Sequence, residues 1–246
     1  MSVVVPAFNE ADTLAAGIGS LADALAALVD RYRFEIVIVD DGSTDATGAI
    51  AAALAAGRDG VRVVSHAVNR GLGAALRTAF AATAGDVVVV LDADMSYAPS
   101  HVARLLEAMR ATGAPIAAAS PYMRGGAVHG VPRARRALSV AANAYLRVMS
   151  GGAASTATGM VRAYDGAWIR ALPLAADGME VNAEIVRHAL RRRARIAEVP
   201  ARLDWGAAGS GGGRASSLRV GRQIVQTLRL GVAFVWERAL ARIGRP

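Results

Sequence analysis

Residues 87–91 form an unbroken apolar run, Val87-Val88-Val89-Val90-Leu91, that stops abruptly at Asp92-Ala93-Asp94. A strand with no polar position is buried on both faces, which happens in parallel sheets covered by helices on either side. Ligands of such open α/β sheets collect beyond the carboxyl ends of the strands. The feature therefore restricts the fold class and also says where chemistry belongs. Side chains two apart on extended chain share a face, so Asp92 and Asp94 can converge on one divalent cation or on groups bound to it. A solvated turn carrying two acids is the plain alternative.

The rest of the first half repeats the pattern. Ser2 to Val5 reads as a strand stopped by Pro6, and Asn9 or Asp12 can cap the helix that follows, whose Leu14, Ile18, Leu21, Leu25 and Leu28 share one face. Phe34 to Val39 is a second strand ending in Asp40-Asp41-Gly42-Ser43-Thr44-Asp45, where Thr44 or Asp45 caps a helix running to about Ala56. Val61 to Ser65 is a third strand, leading through Asn69-Arg70-Gly71 into a helix over Leu72 to Ala84. A helix over His101 to Ala111 then precedes a fifth strand, Ile116 to Ala119. Alternation at this spacing predicts a largely parallel, doubly wound sheet.

Beyond Ser120 the pattern loosens. Arg133 to Met149 is read as a basic amphipathic helix, Thr156 to Arg162 as a further strand, Gly178 to Arg193 as a helix, and Ile196 to Leu203 as a strand interrupted by Pro200. Residues 206–213 are mostly Gly, Ala and Ser, which suits a mobile lid or hinge. Ser216 or Ser217 starts a terminal helix mixing Arg219, Arg222, Arg229, Arg238 and Arg242 with Leu218, Ile224, Val225, Leu228, Val232, Val235 and Trp236. Such a helix either lies in a membrane interface or packs on the main domain. The expected division is one domain over 1–215, with halves 1–120 and 121–215 and a mobile loop at about 206–215, followed by a basic helical region over 216–246.

Composition narrows the partners. Residues 1–120 carry 8 Arg and 13 acidic residues, residues 121–246 carry 20 Arg and 7, and there is no lysine. An acidic half joined to an arginine-rich one predicts an anionic partner for the latter, either membrane phosphate or nucleic acid. The aromatic platforms that bind single-stranded nucleic acid are missing, so none is expected. No cysteine is present, which leaves oxygen or imidazole ligands and favours a hard cation, Mg²⁺ or Mn²⁺. No apolar run approaches the ~18–20 residues that cross a bilayer, and the chain opens in a strand without a signal-peptide pattern. A cytoplasmic protein is therefore expected.

Taken in order, Pro6-Ala7-Phe8-Asn9-Glu10, Val39-Asp40-Asp41-Gly42-Ser43-Thr44-Asp45, Asn69-Arg70-Gly71 and Leu91-Asp92-Ala93-Asp94 resemble the family 2 glycosyltransferases of the GT-A fold, and among them the polyprenyl-phosphate glycosyltransferases such as dolichol-phosphate mannosyltransferase. The resemblance implies a nucleotide-sugar site made by Pro6, Ala7, Phe8, Glu10, Asp40, Asp41, Arg70, Gly71, Asp92, Ala93 and Asp94. Asp92 and Asp94 match the DXD motif that holds Mg²⁺ or Mn²⁺ against the diphosphate. Asp45 is read as a cap. More loosely, Ser120-Pro121-Tyr122 through Gly125-Gly126 to Pro132, Arg135 and Ser139 resembles the segment that binds the acceptor phosphate. Arg135, Arg136 and Ser139 lie within two helical turns, where they can grip a phosphate together. Arg214 and Ser216 fall in a stretch resembling a phosphate-contacting loop ahead of membrane-associated helices. Asp92, Asp94, Arg135 and Ser139 are thus the implied catalytic set.

Some positions depart from the family pattern. Ser96 and Tyr97 replace a Gln and a His, Pro121 an Arg, Ser155 an acid and Ser217 a Lys. The implied enzyme inverts the anomeric carbon in one displacement, using a peripheral location on the cytoplasmic face of the membrane. A phosphomonoester acceptor, whose second pKa lies near ~6, is already a nucleophile at neutral pH and needs no general base. A saccharide or other hydroxyl acceptor would require one, for which Asp165, Asp177 or Glu180 are candidates. A nicotinamide dehydrogenase is disfavoured because no G-x-G-x-x-G follows the first strand, and Gly71-Leu72-Gly73 has Leu76 at the third glycine position. A nucleotide-binding protein without turnover is the remaining reading.

Overall fold

The computed structural model describes residues 1–205 and 217–243. Nine strands and eight helices occur among them, in the order β1 (Ser2–Ala7), α1 (Leu14–Ala26), β2 (Glu35–Asp40), α2 (Thr47–Gly57), β3 (Val61–Ser65), α3 (Leu72–Ala82), β4 (Val87–Val90), α4 (His101–Thr112), β5 (Ile116–Ser120), β6 (Ala127–His129), α5 (Arg133–Met149), β7 (Arg162–Asp165), α6 (Gly166–Arg170), α7 (Val181–Arg191), β8 (Ile196–Pro200), β9 (Arg202–Asp204) and α8 (Ser217–Ile243). Seven strands form one sheet in the order β3-β2-β1-β4-β7-β5-β8, and β6 pairs with β9 in a small ribbon.

Apolar strands dictate this arrangement. Val3 and Val5 face one layer, with Leu14, Ile18, Leu21, Leu25 and Leu105, whereas Val4 faces the other, with Leu76, Phe80, Val88, Val90 and Ile185. Alternate residues of β1 thus feed two cores, and every residue of the strand is buried. The predicted α1 stripe is the buried one: Leu14, Ile18, Leu21 and Leu25 are all inaccessible to solvent. The α/β class and its mostly parallel sheet are as expected.

Several local expectations are corrected. The strand read over Thr156 to Arg162 begins only at Arg162, and it runs antiparallel between β4 and β5. Residues 155–157 stay out of the sheet because side chains capture their backbone: Glu198 Oε1 accepts from the N–H groups of Ser155 and Thr156, and Asn143 Oδ1 from that of Ala157. The cap of α1 is Thr13, with no side-chain capping bond. Asn9 is turned away to accept from Thr44 N–H, at 2.9 Å. The helix read from Gly178 starts at Val181, since Glu180 turns back to accept from Gly178 N–H. Neither α6 nor β6 was expected.

The last helix, α8, lies across α5 and α7. Phe234 is fully buried against Leu146, Ala157, Ala183 and Val186, the Glu237 carboxylate pairs with Arg187 at 3.2 Å, and Arg238 Nη1 donates to the Met149 carbonyl. Its opposite face leaves Ile224, Val225, Leu228, Val232, Val235 and Trp236 exposed. Among the described residues no helix is long and apolar enough to cross a membrane.

Candidate active site at the carboxyl edge of the sheet

Three adjacent strands, β2, β1 and β4, deliver acids to the same edge. Pairing of Ala7 with Asp40 and of Val4 with Val90 sets Glu10, Asp40, Asp41, Asp92 and Asp94 just past it. The Asp92 turn is pinned by Leu91 N–H donating to the Val4 carbonyl and by Asp204 N–H donating to the Ser96 carbonyl. Helix α1 comes so close that a Cβ on Gly17 would stand 2.7 Å from the Ala93 oxygen, so only glycine lets this helix support the turn. Asp94 accepts from Ser96 N–H at 2.9 Å and from Ser96 Oγ at 2.6 Å. Ser96 thereby orients the Asp94 carboxylate, and the second lone pair of each oxygen is left for another partner.

The electrostatics of these acids fit a cation. Burial first, then the negative charges of Asp94 and Glu10, push the Asp92 carboxyl up to about 7. Glu10 is also raised, mainly by burial and further by Asp94 and Asp45, against a lowering by its bond from Thr13 Oγ1. Carboxylates held together so that they oppose each other's ionisation form an oxygen donor set suited to Mg²⁺ or Mn²⁺. Among the described residues no group of three or more His, Asp or Glu side chains is arranged to hold a metal ion alone. Such a cation would therefore rest on Asp92 and Asp94 and complete its shell with substrate oxygens and water, as Mg²⁺ does in phosphate sites.

A stability consequence follows. With a folded pKa near 7 and an unfolded one near 3.8, Asp92 ionises first in the unfolded chain. Its burden is absent below about pH 4, grows through the window between, and is complete above about pH 7. The full shift corresponds to about 4 kcal/mol, reduced by solvent at the crevice mouth. Asp92→Asn is expected to raise the melting temperature of the metal-free protein by roughly 5 °C at pH 8 and to leave it unchanged near pH 4. Equal effects at both pH values in a calorimetric melt would refute this.

The loops around the crevice are stitched by side chains. Asn9 N–H donates to Ser43 Oγ, Glu10 N–H to Thr47 Oγ1 and Ala11 N–H to Asp45 Oδ2. Asp45 also accepts from Thr47 N–H at the start of α2, but the cap position of that helix is Ala46, with no side-chain capping bond, so the cap expected at Thr44 or Asp45 is corrected. Asp40 is buried and accepts from Ser43 N–H. Asp41, 4% exposed, accepts from the backbone N–H of Arg70 and of Gly71. Gly71 has φ +89°, and a Cβ there would meet the Asp177 oxygen at 2.4 Å. The loop before α3 thus requires this glycine. Pro6 and Ala7 are buried in β1, while Phe8 is 43% exposed and Arg70 is exposed.

The arginine-rich half is tied to the turn after β4 by the bond from Asp204 N–H to the Ser96 carbonyl. Arg135 and Arg136 are exposed on the first turn of α5. The Arg135 guanidinium lies over the Trp205 ring, 4.3 Å from its centroid. Ser139, one turn on, shares a 2.6 Å hydrogen bond with Tyr122 Oη. Ser155 donates through Oγ to Glu198 at 2.7 Å and bonds Ser120 Oγ. Arg214, Ser216 and the predicted lid over 206–215 lie outside the described residues. Sequence reading missed Trp205 and His66, whose Nδ1 is 2.6 Å from Asp41 Oδ1. Both are joined to the site by contacts between segments remote in sequence, and no local motif announces them.

Comparison with known proteins gives a consistent result. The family model described as Glycosyl transferase family 2 matches residues 2–171. The undecaprenyl-phosphate mannosyltransferase of Micrococcus luteus is 32% identical over 247 residues, covering 98% of this chain and 98% of that protein. The polyprenol monophosphomannose synthase of Mycolicibacterium smegmatis is 39% identical over 166 residues, or 66% of this chain and 60% of the relative. Among solved structures, the glucosyl-3-phosphoglycerate synthase of Mycobacterium tuberculosis with Mn²⁺, uridine diphosphate and glucosyl-3-phosphoglycerate aligns at TM-score 0.66 and 27% identity, covering 94% of this chain and 78% of that one.

Proposed function

This chain belongs to glycosyl transferase family 2, and from that premise we propose that it moves a hexose from a nucleotide sugar of the GDP-mannose or UDP-glucose type onto a polyprenyl phosphate at the membrane surface, inverting the anomeric carbon. The single observation that carries the proposal is the crowding of the mutually repelling acids Glu10, Asp92 and Asp94 at one sheet edge, with the arginine-bearing first turn of α5 tied to the same turn through Arg135 on Trp205 and the bond from Asp204 N–H to the Ser96 carbonyl. The names of the relatives above, two of which act on polyprenyl-type substrates, support the acceptor class.

In this reading Phe8 and Arg70 flank the nucleoside, Asp41 and Gly71 shape the loop beneath it, and Asp92 and Asp94 hold Mg²⁺ or Mn²⁺. That cation supplies charge neutralisation for the departing nucleoside diphosphate. Arg135, Arg136 and Ser139 orient the acceptor phosphate, with Arg214 and Ser216 as further proposed contacts. A phosphate oxygen forms the bond to the anomeric carbon from the face opposite the diphosphate, whose oxygen leaves with the electron pair of the broken bond. Three arginines and no acid in the first turn of α5 oppose the helix dipole, an arrangement that an anionic ligand would relieve.

Acceptors that need a general base fit less well. Asp165 accepts from Trp168 N–H and pairs with Val87, at the end of β4 remote from Asp92. Asp177 is paired with Arg77, and Glu180 is turned onto Gly178. Glu198 is committed to Ser155 and Thr156. A phosphate nucleophile needs none of them. The exposed apolar residues of α8, with Arg229 exposed beside them, suit the surface of an anionic bilayer, with the catalytic body on its cytoplasmic face.

The test is a donor screen with a polyprenyl phosphate and Mg²⁺ or Mn²⁺, reading nucleoside diphosphate and lipid-linked sugar together. Transfer to a saccharide with none to the lipid phosphate would reject the acceptor assignment. Arg135→Ala is expected to raise the acceptor KM about tenfold, the worth of one charge-assisted hydrogen bond, and to leave the donor KM unchanged. A rise in donor KM alone would place Arg135 on the wrong substrate.

A further inference from the structure

The donor half contains a buried histidine that the mechanism above leaves unused. His66 follows β3, and its ring joins two elements: Nδ1 lies 2.6 Å from Asp41 Oδ1 just past the end of β2, and Nε2 lies 2.9 Å from Thr78 Oγ1 on α3, while its backbone N–H donates to the Asp40 carbonyl. The His66 and Asp41 side chains are 6% and 5% exposed. A carboxylate oxygen only accepts, so Nδ1 carries the proton, and the Thr78 hydroxyl can complete the chain at Nε2.

Asp41 spends its remaining capacity on the loop before α3. Oδ1 also accepts from Arg70 N–H at 3.0 Å and Oδ2 from Gly71 N–H at 2.8 Å. Both oxygens are thus turned to protein donors, and the carboxylate acts on a ligand through the loop it holds. That loop is otherwise exposed: Val68 is 66% accessible, and Ala67, Asn69 and Arg70 are exposed as well. Loss of the ring would remove the side-chain partner on the β3 side of Asp41 and leave only the two loop N–H groups to hold its orientation.

We infer that His66 is a positioning residue for the nucleotide-sugar donor, fixing the Asp41 carboxylate that in turn sets the Arg70–Gly71 backbone at the mouth of the site. The inference rests on the reading of this edge as the donor site. It adds a residue to which neither the family motifs nor the sequence pattern points, and it makes Thr78 the support behind that residue.

Calorimetric titration with UDP and with GDP in the presence of Mn²⁺ tests it, beside steady-state kinetics. His66→Ala should weaken binding of the preferred nucleotide about tenfold, with kcat and acceptor KM held within about twofold. His66→Asn, whose amide N–H takes the place of Nδ1, should recover most of the loss. Thr78→Val is the milder variant in case His66→Ala does not fold, and it should weaken binding about threefold. Wild-type binding with no change in His66→Ala or Thr78→Val overturns the role of His66 alone. A parallel fall in kcat, acceptor affinity and melting temperature also overturns it, by reducing His66 to a stabilising residue. Failure of the wild type to bind either nucleotide removes the donor-site reading and the inference with it.

Discussion

Asp94→Ala is expected to lower sugar transfer by at least about a thousandfold, roughly 4 kcal/mol of transition-state stabilisation, while the protein keeps its fold. On the proposed reading the loss is large because this carboxylate is one of two that the turn after β4 would offer to a cation neutralising the charge of a leaving diphosphate. Retention of fold follows from the anchoring of the turn. Leu91 N–H still reaches the Val4 carbonyl, and Asp204 N–H still reaches the Ser96 carbonyl, so only the two bonds from Ser96 are given up. Removing Asp94 also takes away a charge that opposes the ionisation of Asp92. The metal-free variant should therefore melt no lower than wild type at pH 8. Catalytic loss without loss of stability distinguishes a ligand from a structural acid, and Asp94→Asn, which keeps an acceptor for Ser96, should be almost as inactive. Full activity in Asp94→Ala would show that the cation assignment is wrong.

The largest effect on stability is expected at Arg162. It is 1% exposed, and its guanidinium, which also neighbours the Tyr164 hydroxyl, donates to three carbonyls: Nη1 to Asn182 O at 2.9 Å, and Nη2 to Ala157 O at 2.9 Å and Thr156 O at 3.2 Å. Nε has no partner among the described residues. One side chain thus ties the first residue of β7 to the start of α7 and to the loop that carries Ser155. Arg162→Met preserves much of the volume but takes a charged donor away from three carbonyls of buried residues, at about 1 kcal/mol each. A destabilisation of about 3 kcal/mol, or roughly 10 °C in the melting temperature, is expected in calorimetry. Arg162→Lys, which keeps the charge but cannot reach all three oxygens, should lie between. A loss under about 1 kcal/mol for Arg162→Met would mean that relaxation or water satisfies the carbonyls.

The fate of individual segments explains what could be read in advance. Helix α5 spans Arg133–Met149, the range expected from its amphipathic period, because Pro132 before it and Gly151-Gly152 after it are local signals. The first five strands also emerge where apolar runs end in turns. By contrast β7 was misplaced by several residues. Thr156 to Arg162 has β-branched and small residues that suit a strand, but the choice lay with Glu198 and Asn143, which seize that backbone from elsewhere in the fold. His66 is similar. Twenty-five residues separate it from Asp41, and no spacing rule links a histidine after one strand to an acid after another.

The sequence by itself determined the α/β layering, the edge at which acids collect and the membership in a transferase family, since these follow from hydrophobic period and from motifs short enough to be local. Only the tertiary structure decided which polar groups are tied to which. It turned Asp41 toward a loop, bound Glu198 to Ser155, laid Arg135 on Trp205, and left the guanidinium of Arg162 among carbonyls. The physical reason is that burial is encoded residue by residue along the chain, whereas a hydrogen bond or a shifted pKa depends on two groups meeting in space.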